Sequence, residues 1–126
     1  MGVGFPQCLL LDEFGSQVWA FFGDVPYHVG SSVFKKRGWR DVDVRVIMDD
    51  EEWDKWEFGD PTQCHSNGKW VSICRAYSEL GKQMTGLPID FQVQKRSNAN
   101  SEYGDTKKCP RSAIGLIPIR YEKYKD

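Results

Sequence analysis

Val29-Gly30-Ser31-Ser32-Val33-Phe34-Lys35-Lys36-Arg37-Gly38-Trp39-Arg40-Asp41-Val42-Asp43-Val44-Arg45-Val46 decides how this chain is read, because a small-residue turn runs into a strand that carries carboxylates. Glycine and two hydroxyl residues let backbone N–H groups approach phosphate oxygens, and the first turn of a helix beyond them would add its positive end. Lys35, Lys36 and Arg37 add positive charge. From Asp41 to Met48, β-branched valines at every second place mark a strand. Side chains alternate across a strand, so Val42, Val44, Val46 and Met48 face a core while Asp41, Asp43 and Arg45 share the other face. The two aspartates then stand about 6 to 7 Å apart at Cα. Such oxygens suit hard divalent cations.

A third carboxylate comes from Leu87-Pro88-Ile89-Asp90-Phe91-Gln92-Val93-Gln94, where Ile89, Phe91 and Val93 alternate with Asp90, Gln92 and Gln94. Laid beside the first strand, this one aims Asp90 at the Asp41 and Asp43 pair. Three carboxylates at one point repel each other unless cations sit among them, and Mg²⁺ is the usual ion where phosphates complete the shell. A solvated sheet face would account for any single one of them. Three on one face, behind a Gly-Ser turn, point instead to phosphoryl or nucleotidyl transfer.

The order of these signals is a hydrophobic residue, Gly-Ser, a spacer of about ten residues, Asp-hydrophobic-Asp on a strand and a lone Asp on a later strand. From Tyr27 to Gln94 it resembles the nucleotidyltransferase superfamily, which includes DNA polymerase β. The compact length resembles the minimal nucleotidyltransferases, and Trp39-Arg40-Asp41-Val42-Asp43-Val44-Arg45 is similar to small proteins from phages and actinobacteria. The resemblance implies that Gly30 and Ser31 bind the triphosphate of an NTP such as ATP, and Ser32, Lys36 and Arg37 of the same stretch are expected to join them as nucleotide-binding residues. It implies that Asp41 and Asp43 bridge two Mg²⁺ or Mn²⁺ ions and that Asp90 holds the catalytic one. Residues 95–126 fall outside it.

With 126 residues, the chain is expected to form one domain over residues 1–126, and five tryptophans, five tyrosines and seven phenylalanines supply bulk for its core. A net charge of −1 gives no basic excess for holding a long nucleic acid by its phosphates. Cys8, Cys64, Cys74 and Cys109 are scattered, without a CxxC pair, and no leader pattern opens the chain, so reduced thiols in a cytoplasmic protein are expected. Cys64, His65 and the other cysteines fit no standard zinc spacing. No apolar run approaches the length of a bilayer span.

Helical spacing predicts a first helix over Leu9 to Phe22, weakened by Gly15, and a second over Trp70 to Thr85, stopped by Gly86. Between them, Pro26 to Val29 reads as a short strand, Asp49 to Phe58 as a short acidic helix capped by Asp49 or Asp50, and Gly59 to Gly68 as a loop. His28 is expected to pair with a neighbouring polar group rather than with a ligand. Lys95 to Lys108 reads as a surface loop, and Arg111 to Arg120 as an apolar patch that packs across the sheet edge or against a second copy. The sum is an α+β fold, a small mixed sheet with helices on one face and the polar face open to substrate.

The function expected is a metal-dependent nucleotidyltransferase that moves an NMP from an NTP to an acceptor hydroxyl, on an RNA, a protein or a small molecule, and releases pyrophosphate. The alternative is a non-catalytic nucleotide-binding or regulatory module acting with a partner protein or as a homodimer. A pure binder has no use for three unpaired carboxylates that repel one another.

Overall fold

The computed structural model describes residues 2–33, 40–104 and 109–115. In chain order these form helix α1 (Gln7–Phe22), strand β1 (Pro26–Val29), a 3-10 turn (Ser31–Val33), strand β2 (Val42–Met48) and helix α2 (Asp50–Lys55). A second 3-10 turn (Cys64–Ser66), helix α3 (Gly68–Thr85), strand β3 (Ile89–Lys95), helix α4 (Arg96–Tyr103) and strand β4 (Arg111–Ala113) follow. The result is a small α+β fold on a mixed four-stranded sheet in the order β3-β2-β1-β4. β1 is antiparallel to β2 and to β4, and β2 is parallel to β3.

Alternation fixes which way the sheet faces. Val42, Val44, Val46 and Met48 are fully buried, as are Phe91 and, nearly so, Ile89 and Val93. They meet Leu11, Phe14 and Val18 of α1 and Trp70 and Cys74 of α3 in one core. Phe14 meets Phe91 edge-on, and Phe22 packs against both Tyr77 and Phe91. Each such side chain contributes about 1.5–3 kcal/mol on leaving water. A one-residue slip of β2 would exchange its valines for Asp41, Asp43 and Arg45, so burial of this face sets the register that places the carboxylates.

α3 also does the work of a missing strand beside β3. Trp70 Nε1 donates to Val93 O at 2.9 Å, Phe91 N–H donates to Ser78 Oγ at 2.9 Å, and Cys74 is buried between them on the helix. Trp70, Cys74 and Ser78 lie four residues apart, one helical stripe, so the helix satisfies an edge that would otherwise be open for pairing.

The expected loop after β3 is instead helix α4. Its polar residues give little drive toward helix, and the acidic start of α2 organises it. Asp50 accepts from Ser97 N–H at 3.0 Å, while Arg96 donates to Asp49 at 2.7 Å and to Ile47 O at 3.2 Å. Ala99 is then buried. Asp49 stands at the N-cap position of α2 without a capping side-chain bond. The expected loop from Gly59 to Gly68 contains the second 3-10 turn and ends at the first residue of α3, which Asn67 caps through Trp70 N–H. Of the expected apolar patch, Arg111–Ala113 forms the edge strand β4 and Ile114 is buried; residues 116–120 lie outside the described residues.

Gly15, unfavourable inside a helix, has a packing reason. A Cβ there would lie 2.8 Å from Gly115 N, where the chain crosses α1 after β4. Asp12 accepts from Gly115 N–H at 2.7 Å, and Ser16 donates to Gly115 O at 3.4 Å.

Candidate functional site

Parallel pairing of β2 with β3 sets Asp43 directly beside Asp90, and antiparallel pairing with β1 sets Asp43 opposite Val29. Asp41 stands just before β2, exposed, whereas Asp43 and Asp90 are half-buried. One carboxylate oxygen from each of the three lies within 4.8 Å of the others. Gly30 follows β1 with φ of +80°, and a Cβ on it would collide with Asp43 Oδ2. Glycine is therefore required twice at this position, by its backbone angle and by the carboxylate against it. The turn and the carboxylates form one site.

Arg45 completes it. Its NH1 donates to Asp90 O at 2.6 Å and to Val44 O at 3.1 Å, which fixes the guanidinium. NH2 then lies 3.5 Å from Asp90 Oδ2 and 3.7 Å from Asp43 Oδ1, with the side chain only 12 % exposed. The sequence placed Arg45 on this face but gave it no role; its signal was the two-residue offset from Asp43. Burial raises the pKa of Asp43, with Asp90 and Asp41 adding to the effect and Arg45 opposing it. At such separations two like charges in a partly solvated site repel by about 3 kcal/mol. One guanidinium against three carboxylates leaves an excess negative charge suited to a divalent cation.

The donors fit that cation. Three carboxylate oxygens are hard ligands, and opposite ligands of Mg²⁺ stand about 4.2 Å apart, so a 4.8 Å spread closes with a small side-chain adjustment. Among the described residues no second group of three metal-ligating side chains comes together. Cys64 is buried with its thiol directed at Pro61 O, and His65 stands edge-on to the Trp70 ring. All four cysteines are free.

Of the expected nucleotide loop, Gly30 lies against Asp43, Ser31 opens the 3-10 turn, and Val33 N–H closes that turn on Gly30 O at 3.2 Å. Ser32 points elsewhere. It is fully buried and its hydroxyl lies 2.6 Å from His28 Nε2, so it is engaged in holding the turn to β1. His28 is thus the paired strand histidine that was expected. Lys36 and Arg37, with Lys35, lie outside the described residues.

α3 also walls a groove of about 550 Å³ that begins at Asp90. Gln92 lies beside Asp90 on its β3 side, and Arg75, Glu79 and Lys82 line its helical side. Their spacing along one flank of α3 was the available signal.

Comparison with protein-family models, curated proteins and solved structures finds no match for the chain. No helix among the described residues is long and apolar enough to cross a membrane.

Proposed function

We propose that this chain is a metal-dependent nucleotidyltransferase that moves an NMP from an NTP to an acceptor hydroxyl and releases pyrophosphate. The observation that carries the reading is the convergence of Asp41, Asp43 and Asp90 against the Gly30 turn. Asp41 and Asp43 would hold the ion that enters with the triphosphate, and Asp90, reaching in from β3, would serve mainly a second one. Two such ions supply charge neutralisation at the phosphates and lower the pKa of an attacking hydroxyl. Backbone N–H groups at Gly30 and Ser31 would orient the triphosphate, and Asp90 would accept the acceptor's proton. Lys35, Lys36 or Arg37 would balance the charge that builds on pyrophosphate.

A non-catalytic nucleotide-binding module has one observation in its favour. Arg45 lies against Asp43 and Asp90, so these carboxylates are not wholly unpaired when no ion is bound.

Mass analysis of candidate acceptors after incubation of the wild type with each NTP separates the two readings, since a binding module transfers nothing, and Asp90→Asn tests the role of Asp90. Calorimetry with Mn²⁺ and each NTP should show binding within a few-fold of wild type, while mass analysis shows NMP transfer to acceptors falling about a hundredfold or more. Normal turnover in the variant would remove Asp90 from the chemistry, and no NTP binding by the wild type at millimolar metal would remove the nucleotide site.

A further inference from the structure

We propose that the groove between α3 and β3 seats the acceptor, a nucleotide-sized molecule bearing both a hydroxyl and a phosphate. This rests on the transferase reading and adds the substrate class to it. The groove shares Asp90 with the carboxylate cluster, so whatever lies in it has one end at the proposed acceptor carboxylate. Its volume of about 550 Å³ falls within the range of small-molecule sites.

Charge along the groove is ordered. Gly81 packs on Ile89, Ser78 bonds to Phe91 and Trp70 to Val93, so helix and strand run in opposite directions. That places Lys82 at the Asp90 end and Arg75 farther along, beside Gln92. The two cations are two helical turns apart, about 10 Å along the axis. Both are exposed, and neither has an ion-pair partner among the described residues. With only Glu79 against them, the helical wall is net positive while the carboxylate end is negative.

A ligand that fits this pattern presents a hydroxyl to Asp90 and an anionic group to the helix. At the far end Arg75 can bind a phosphate with two parallel N–H bonds, the Gln92 amide beside it offers a donor and an acceptor to a polar ring, and Lys82 adds positive charge nearer the Asp90 end. A single nucleotide meets all three. A long nucleic acid does not, because the chain as a whole carries a net charge of −1.

The test uses the whole chain with Mg²⁺, titrated with AMP and in parallel with adenosine, and followed by the amide resonances of Arg75, Gln92, Gly30 and Asp43. AMP should shift Arg75 and Gln92 saturably, adenosine should bind more weakly, and the R75E/K82E double variant should lose about tenfold in AMP affinity. Both substitutions are on exposed positions, and an unchanged response of Gly30 and Asp43 to ATP reports an intact fold and donor site. If that ATP response persists while AMP binds both proteins equally, or shifts only Gly30 and Asp43, the groove is not the acceptor seat and the transferase reading stands. If AMP seats on Arg75 and Gln92 but ATP with Mg²⁺ leaves Gly30 and Asp43 unmoved, the transferase reading falls and the acceptor role falls with it.

Discussion

His28 is wholly buried, bonded at Nε2 to Ser32 and without a partner at Nδ1 among the described residues, and burial pushes its pKa from 6.5 down to about 4. Between those values the unfolded chain takes up a proton that the folded one refuses. The contribution of His28 is therefore complete above pH 6.5 and is lost as the pH falls toward 4, by an amount of order 3 kcal/mol. Asp43 acts in the opposite sense, because its raised pKa means that protonation relieves the folded state as acid is added. Denaturant midpoints at pH 7 and pH 4.5 should converge more closely in His28→Gln than in wild type. Parallel acid losses in the two proteins would assign the pH dependence to other groups. That this histidine would be a paired strand residue was legible from its place in Pro26–Val29; its partner was not, because Ser32 reads equally well as part of a phosphate turn.

At the level of elements, the pairing of α3 with β3 decides how far the site is preformed. Ser78 gives the Phe91 N–H its partner, and Ser78→Ala would leave that half-buried donor unsatisfied, at a cost of about 1–2 kcal/mol. Urea unfolding should show the loss as a lower midpoint with an unchanged slope, and an unaltered midpoint would mean that water replaces the hydroxyl. Strands and long helices were legible because burial imposes a period of two or 3.6 on their residues, as at Val42 to Met48. The Ser78 role was not, since a hydrogen bond to another element's backbone leaves no period. The same reason hid α4, whose start is held by Asp49 and Asp50 from elsewhere in the chain. In the candidate site, the shared face of Asp41, Asp43 and Asp90 followed from alternation alone. The direct pairing of Asp43 with Asp90 depends on where the α3 crossover sets β3 down, and Arg45 acquires its role only through that pairing.

Across the whole molecule, the contact of Gly15 with Gly115 ties the first helix to the last described segment. Gly15→Ala would gain about 1 kcal/mol of helix propensity but force a methyl against backbone, which costs about 1–3 kcal/mol. A lowered melting temperature is expected, and a raised one would show that residues 114 and 115 can move aside. Ser16 and Gly115 are 99 positions apart in sequence. During synthesis α1, β1 and the β2–α3–β3 unit therefore all emerge before the residues that close this contact exist. Until Arg111 to Gly115 leave the ribosome, the outer edge of β1 stands open and the notch at Gly15 is empty, a nascent stage in which the sheet can recruit the strand of another chain in place of its own.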